Sequence, residues 1–160
     1  IFGYRVNDPQ RYGIVKFNAD GKVVDLVEKP KVKISDYAIT GIYFYDNRAS
    51  QYARKLSPSS RGELEITELN KMYLKDNSLH LEKMGRGYAW LDTGTTDSLL
   101  EASQFVHSIE KRQGLKISCP EEIAFNKGWI TRNQLKIIIK RIGDNEYSNY
   151  LAKLINLDEN

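Results

Sequence analysis

Tyr12-Gly13-Ile14-Val15-Lys16-Phe17-Asn18-Ala19-Asp20-Gly21-Lys22-Val23-Val24-Asp25-Leu26-Val27-Glu28 is the stretch that decides the fold class of this 160-residue chain. Residues 12–17 and 23–28 follow a period-2 pattern, and Asn18-Ala19-Asp20-Gly21 supplies turn chemistry between them, which predicts a β-hairpin. Pro30 stops the second strand, because proline has no N–H to give to a ladder. Further along, 37–45 is a β-branched and aromatic run that is apolar on both faces. It predicts a strand in a sheet covered on both sides. Residues 48–56 and 63–75 predict helices. The second has Leu64, Ile66, Leu69, Met72 and Tyr73 on its apolar side, and Ser60 and Glu63 at capping-box spacing. Short strands are expected at 79–84 and 88–91. Strands alternating with helices argue for an α/β sheet, with the hairpin as an antiparallel addition.

From residue 98 the pattern becomes helical. Leu99, Ala102, Val106 and Ile109 repeat along 98–112 at the spacing of one helix face, and Gly114 closes that helix. Pro120-Glu121-Glu122 reads as a first helical turn, with proline at the first position and acids facing the dipole, and Gly128 ends it. Thr131 and Gln134 have capping-box spacing before 135–139. A last helix carries Tyr147, Tyr150, Leu151 and Leu154 on one side. Few later residues remain to cover that side, so self-association is expected. The chain therefore divides into a sheet part, 1–97, and a helical region, 98–160.

Composition narrows the function classes. With 41% apolar and 28% charged residues, a disordered or fibrous chain is excluded. No apolar run approaches the ~20 residues of a spanning helix, so no membrane partner is expected. The net charge of +3 is spread over mixed signs and gives no grounds for a nucleic-acid partner. The single cysteine, Cys119, cannot form an internal disulfide, which fits a reducing, cytoplasmic setting. Ile1 opens a strand pattern partway, so the chain reads as the later part of a longer protein.

No Gly-x-x-x-x-Gly-Lys-[Ser/Thr] loop and no Gly-x-Gly-x-x-Gly after a strand occurs; Gly85-Arg86-Gly87 leads toward a strand and reads as a turn. His80, His107 and Cys119 lack metal-ligand spacing. Asp92-Thr93-Gly94-Thr95 has three readings. An aspartic protease half-site would need a second carboxylate, and no second copy of the motif occurs. An aspartate at a strand end beside a glycine turn suits a divalent metal or a phosphate-bearing substrate. The motif could also be a helix start capped by Thr95 or Thr96. Glu28 and Lys29 are adjacent on a strand and so point to opposite faces. A binding role requires the turn at Pro30 to bring both toward one cleft. Arg61-Gly62-Glu63-Leu64-Glu65-Ile66-Thr67 is either a charged helix entry or a set of polar groups aimed at a ligand.

In order along the chain stand Tyr12-Gly13-Ile14-Val15, Val27-Glu28-Lys29-Pro30, the run from Ala38 to Asp46, the run from Arg61 to Thr67, and Gly85-Arg86-Gly87-Tyr88-Ala89-Trp90-Leu91-Asp92-Thr93-Gly94-Thr95. Glu110-Lys111-Arg112-Gln113-Gly114 and Cys119-Pro120-Glu121-Glu122-Ile123-Ala124-Phe125 follow. This ordered set resembles the glucose-1-phosphate thymidylyltransferases. The resemblance implies a Rossmann-like mixed-sheet nucleotidyltransferase fold with a C-terminal helical region. It also implies synthesis of dTDP-glucose and pyrophosphate from dTTP and glucose 1-phosphate with Mg2+, in deoxysugar (dTDP-rhamnose) and polysaccharide precursor synthesis. By motif match, Tyr12, Gly13, Glu28, Lys29 and Ile39 fall on the sugar-phosphate site, and Trp90, Thr67, Arg61 and Glu63 near the substrate. Asp92 falls on a Mg2+ ligand. Arg86, Ser118, Glu122 and Ile123 match a regulatory nucleotide site between subunits of a homo-oligomer, a tetramer in that family. The family's Gly-x-Gly-x-Arg triphosphate loop does not occur in these residues, so the chain is expected to carry the C-terminal, acceptor side of such an enzyme and to be inactive alone. A non-catalytic oligomerisation or regulatory module is the second expectation, and the protease the third.

Overall fold

The hairpin forms where the sequence predicts it. In the computed structural model, which describes residues 1–157, β2 (Gly13–Phe17) pairs antiparallel with β3 (Val23–Glu28), from Gly13 opposite Glu28 to Phe17 opposite Val23. Asn18 builds the turn: its side-chain oxygen accepts from the N–H groups of Asp20 at 3.1 Å and Lys22 at 2.9 Å. Gly21 takes the left-handed conformation at φ 76° that the turn requires.

β1 (Phe2–Arg5) and β4 (Tyr37–Ile39) pair antiparallel, and β5 (Glu82–Lys83) runs parallel to β1, giving the order β3-β2-β4-β1-β5. The sheet is mixed and the fold is α/β, as expected. Its core gathers Val15, Leu26 and Ile39, against which Phe17, Tyr37, Leu74 and Leu81 pack. Ile14 and Ala38 are fully buried beside them.

Several expected elements are shorter than predicted. Only three residues of 37–45 join the sheet. The N–H of Thr40 still bonds to the carbonyl of Phe2 at 3.0 Å, but beyond it no strand among the described residues takes the ladder bonds, and Phe44 is 79% exposed. The 48–56 helix shortens to α1 (Ala49–Ala53) and the 63–75 helix to α2 (Ile66–Lys75). The Ser60–Glu63 capping box does not form. Gly62, at φ 79°, turns the chain, and Arg61 takes the Glu63 carboxylate at 2.7 Å. The strand expected at 88–91 is irregular backbone.

The chain falls into two compact units, Ile1–Trp90 and Leu91 onward. The second contains α3 (Thr96–Gln113), α4 (Pro120–Asn126), α5 (Arg132–Ile142) and α6 (Glu146–Leu157). The expected punctuation is present here. Gly114 closes α3 at φ 69°, Pro120 starts α4, and Thr131 with Gln134 forms a reciprocal capping box on α5. The last residues of the expected 98–160 region, 158–160, lie outside the described residues. One expectation is corrected. The apolar side of α6 is covered inside its own unit, where Tyr150, Leu151 and Ile155 pack with Cys119 and Leu135, flanked by Phe125, Ile139, Tyr147 and Leu154. An uncovered last helix therefore gives no reason for self-association. No helix among the described residues is long and apolar enough to cross a membrane.

Candidate functional site

Five of the expected residues converge in the first unit because the hairpin register and α2 bring them together. Gly13 opens β2 directly opposite Glu28, the last residue of β3. Glu28 Oε2 accepts a 2.5 Å hydrogen bond from Thr67 Oγ1, and Thr67, in the first turn of α2, is buried. A Cβ on Gly13 would lie 2.9 Å from Thr67 Oγ1, 3.0 Å from Glu28 Oε2 and 3.6 Å from Ile39 Cδ1. Glycine stands here for space: only a bare backbone fits against the hydroxyl–carboxylate pair.

Arg61 joins from the loop before α2. Its guanidinium lies 3.8 Å from Glu28, 2.7 Å from Glu63 and 3.3 Å from Glu65. Ion pairs at this exposure contribute little to stability. Their effect is to orient one guanidinium among three carboxylates, beside the Gly13–Glu28 pair.

Lys29 resolves the problem of two adjacent, oppositely charged residues on a strand. Its backbone is left-handed, at φ 42°, and its N–H donates to the carbonyl of Tyr12 at 3.0 Å. The extended alternation therefore ends at Glu28, two residues before Pro30. A non-glycine residue held in this region stores strain, and such strain clusters at functional positions.

Tyr12 also borders the aromatic part of the site. Its ring meets Trp90 edge-on, with centroids 5.0 Å apart, and Tyr4 flanks the same indole at 5.9 Å. The Tyr4 hydroxyl donates to the carbonyl of Tyr88 at 3.1 Å, which ties the irregular segment before Trp90 to β1. The sequence pattern did not single out Tyr4. Nor did it single out Tyr43, which packs on the Val15–Leu26–Ile39 core and whose phenol is pushed above its ordinary pKa by burial, with the Glu28 charge adding to the effect. As part of an aromatic run, Tyr43 read as core.

The remaining expected residues sit in different settings. Arg86, in the first unit, lines an open cleft of about 590 Å³ with Tyr4, Arg5, Lys33, Asp36 and Met84. In the second unit Ser118 is left-handed at φ 59° and Ile123 is half exposed. Glu122 accepts a 2.6 Å hydrogen bond from the Tyr150 hydroxyl, so its carboxylate already ties α4 to α6.

Asp92 lies near the start of the second unit, where its Oδ1 accepts from the N–H of Gly94 at 3.3 Å. Thr95 caps α3: its Oγ1 accepts from the Ser98 N–H at 3.1 Å, and Ser98 Oγ accepts from the Thr95 N–H at 3.0 Å. The capping reading of the Asp-Thr-Gly-Thr motif therefore holds for Thr95. Among the described residues no group of three or more His, Cys, Asp or Glu could hold a metal. A single carboxylate is still a hard oxygen donor suited to Mg2+, which commonly takes one or two protein carboxylates and completes its shell with water and phosphate oxygens.

Residues 1–109 match the nucleotidyl transferase family. The chain belongs to that family. The match runs through Asp92-Thr93-Gly94, which sets aside the protease half-site. Among curated relatives, the glucose-1-phosphate thymidylyltransferase of Xanthomonas campestris pv. campestris (strain B100) is 56% identical over 154 residues, covering 96% of this chain and 52% of the relative. Those of Mycolicibacterium smegmatis and Neisseria meningitidis serogroup A are 53% and 48% identical over 155 residues, each covering 97% of this chain and 54% of the relative. The chain thus spans about half the length of the curated relatives it matches. A crystal structure from Bacillus anthracis, described as a glucose-1-phosphate thymidylyltransferase in complex with a sucrose, superposes with a TM-score of 0.57 at 41% identity. It covers 65% of this chain and 41% of that one. The Rossmann-like nucleotidyltransferase fold follows from this likeness together with the mixed sheet.

Proposed function

We propose that this chain carries the sugar-phosphate side of a glucose-1-phosphate thymidylyltransferase, which makes dTDP-glucose and pyrophosphate from dTTP and glucose 1-phosphate. The observation that carries the proposal is the convergence of Gly13, Glu28, Thr67 and Ile39, with Arg61 alongside. A hexose offers several hydroxyls and one dianionic phosphate. Glu28, already polarised by Thr67, accepts from sugar hydroxyls. Gly13 lets the sugar approach the β2 backbone, and Tyr12 and Trp90 supply an aromatic wall. Lys29 meets the phosphate as a compact cation.

In the reaction an oxygen of the sugar phosphate attacks the α-phosphorus of the nucleotide in line. A P–O bond forms there, the bond to the β-phosphate oxygen breaks, and pyrophosphate leaves. Such chemistry depends on positioning and charge stabilisation, with no covalent protein intermediate. Mg2+, when bound, neutralises charge on the phosphates, and Asp92 is the residue of this chain that would hold it. The 160 residues contain no Gly-x-Gly-x-Arg loop, so they bind the acceptor and do not turn over alone. A cytoplasmic homo-oligomer follows from the family resemblance, as does a regulatory nucleotide site drawing on Arg86, Ser118, Glu122 and Ile123. The helix-binding role of Glu122 gives a rival, purely structural account of that residue.

The test is pyrophosphate release by the complete gene product with dTTP, glucose 1-phosphate and Mg2+. Glu28→Gln should raise the KM for glucose 1-phosphate, whereas Asp92→Asn should cut turnover and raise the Mg2+ requirement. No glucose-1-phosphate-dependent release by the complete protein would overturn the proposal.

A further inference from the structure

Helix α2 directs a second buried polar side chain toward the same part of the first unit. Asn70 lies one turn after Thr67 on α2, a spacing that places both on one face, and both are almost completely inaccessible. Thr67 holds Glu28. Asn70 Oδ1 accepts a 2.7 Å hydrogen bond from the hydroxyl of Tyr45. The ring of Tyr45 stacks on Tyr43, with centroids 5.6 Å apart and planes 5° from parallel. Tyr43 packs in turn on the cluster that includes Ile39, whose Cδ1 borders the space over Gly13. On its other face Tyr45 stacks on Tyr73 of α2 at 5.3 Å. Residues 42–45 have no strand partner among the described residues, so this stack and the partly buried Tyr45–Asn70 hydrogen bond take the place of ladder bonds in fixing Tyr43.

We propose that Asn70 is a positioning residue of the sugar-phosphate site: through the Tyr45 hydroxyl it fixes Tyr43 against the cluster that includes Ile39, while Thr67 on the same helix fixes Glu28 itself. The inference rests on the sugar-phosphate assignment above. One rigid helix would then set both the carboxylate and the aromatic ring packed on the cluster that includes Ile39, so the two cannot drift apart. Burial also pushes the Tyr45 phenol well above its ordinary pKa, which keeps it a hydrogen-bond donor throughout the working pH range.

The experiment compares wild type, Tyr45→Phe, Asn70→Leu and the double variant in the complete gene product. KM for glucose 1-phosphate, KM for dTTP, kcat and thermal stability are measured for each. Tyr45→Phe keeps the ring and the core volume and removes only the bond to Asn70. It should raise the KM for glucose 1-phosphate about five-fold and leave the KM for dTTP unchanged. Asn70→Leu should do at least as much, and the double variant no more than Asn70→Leu, because both changes remove the same bond. A merely structural role predicts loss of stability, with both KM values moving together or neither. If Tyr45→Phe binds glucose 1-phosphate as wild type does, the proposal is overturned whatever Asn70→Leu does, including failure to fold. If wild type shows no saturable dependence on glucose 1-phosphate, the substrate assignment fails and the proposal falls with it; the two failures are told apart by the wild-type curve alone.

Discussion

The two units use buried polar groups in opposite ways. In the first, Thr67 and Asn70 on one face of a helix hold Glu28 at a strand end and Tyr45, and the missing side chain of Gly13 lets the Thr67–Glu28 pair close on the backbone. In the second, Tyr147 and Tyr150 donate to Glu121 and Glu122 at 2.5 and 2.6 Å, bonds that join α6 to α4 above a core of Cys119, Leu135 and Leu151. Similar chemistry lines the proposed sugar-phosphate site in one unit and braces helices in the other. The difference lies in what surrounds the polar pair, a bare glycine backbone or packed apolar side chains.

The largest effect expected on this comparison is on stability. Leu151 is fully buried at the centre of the second unit's core. Leu151→Ala should destabilise that unit by about 2–5 kcal/mol, through lost transfer energy and the cavity left behind. A denaturant titration of the complete gene product should show the loss, while kcat/KM of the molecules still folded stays close to wild type. A similar fall in the specific activity of folded molecules would mean that the α4–α6 core, and not only the Asp92 segment, supports the chemistry.

Gly13→Ala should give the reverse signature. The new Cβ meets two oxygens at 2.9 and 3.0 Å, so β2, Thr67 or Glu28 must shift. A 1 Å misplacement of positioned groups can cost about 100-fold in rate, and kcat/KM for glucose 1-phosphate should fall by up to about that much. Steady-state kinetics with each substrate varied will show whether the loss is confined to the sugar phosphate. Wild-type kinetics in Gly13→Ala would remove the steric basis of the site.

The hairpin and the helix ends at Gly114, Pro120 and Thr131 were legible in the sequence, because each follows from local chemistry, whereas Gly13, Glu28, Arg61 and Thr67 were assigned to a site only by the family resemblance. Asn18 to Gly21 make a turn whatever surrounds them, and Thr131 with Gln134 caps a helix from within its own first turn. What was not legible depends on partners distant in sequence. The 37–45 run has the composition of a strand throughout, yet a strand forms only where a neighbour supplies hydrogen bonds, and that ends near Thr40. Tyr43 and Asn70 gave no signal as site residues, because an aromatic in an apolar run and a lone amide on a helix both read as ordinary packing. The placing of Asn70 one turn after Thr67 was the available clue. The left-handed turn at Lys29 was also hidden: Pro30 announces a break, but not that the residue before it leaves the extended conformation. The sequence shows Tyr147, Tyr150, Leu151 and Leu154 as an apolar helix side but not what covers it, which is α4 and α5.

The smallest expected effect concerns the second unit's charges and sharpens the view of it as a braced assembly. Lys116 Nζ lies 2.9 Å from Glu110 on α3 and 2.8 Å from Glu146 on α6, and Glu110 also accepts from the N–H of Ile117 at 2.9 Å. The hydrogen bond from Lys116 holds both carboxyls below their ordinary pKa, with the Ile117 N–H adding to the effect at Glu110 and the nearby His107 charge acting in the same direction on both. The same bonds raise the pKa of Lys116. Because the folded carboxyl values lie below the unfolded one of about 4.3, their contribution is fully present above that pH and is lost as pH falls through the depressed values. The lysine contribution is present below the unfolded value of about 10.4 and is lost as pH rises through the raised folded value. Glu146 is exposed and Lys116 and Glu110 are only partly covered, so the effect at neutral pH is small and shrinks further with added salt. The contrast belongs at the acid edge. Below about pH 4 the stability of wild type, followed by denaturant titration, should fall more steeply than that of Lys116→Met, and the two profiles should converge as the carboxyls protonate. Parallel profiles would show that the lysine does not tie α3 to α6.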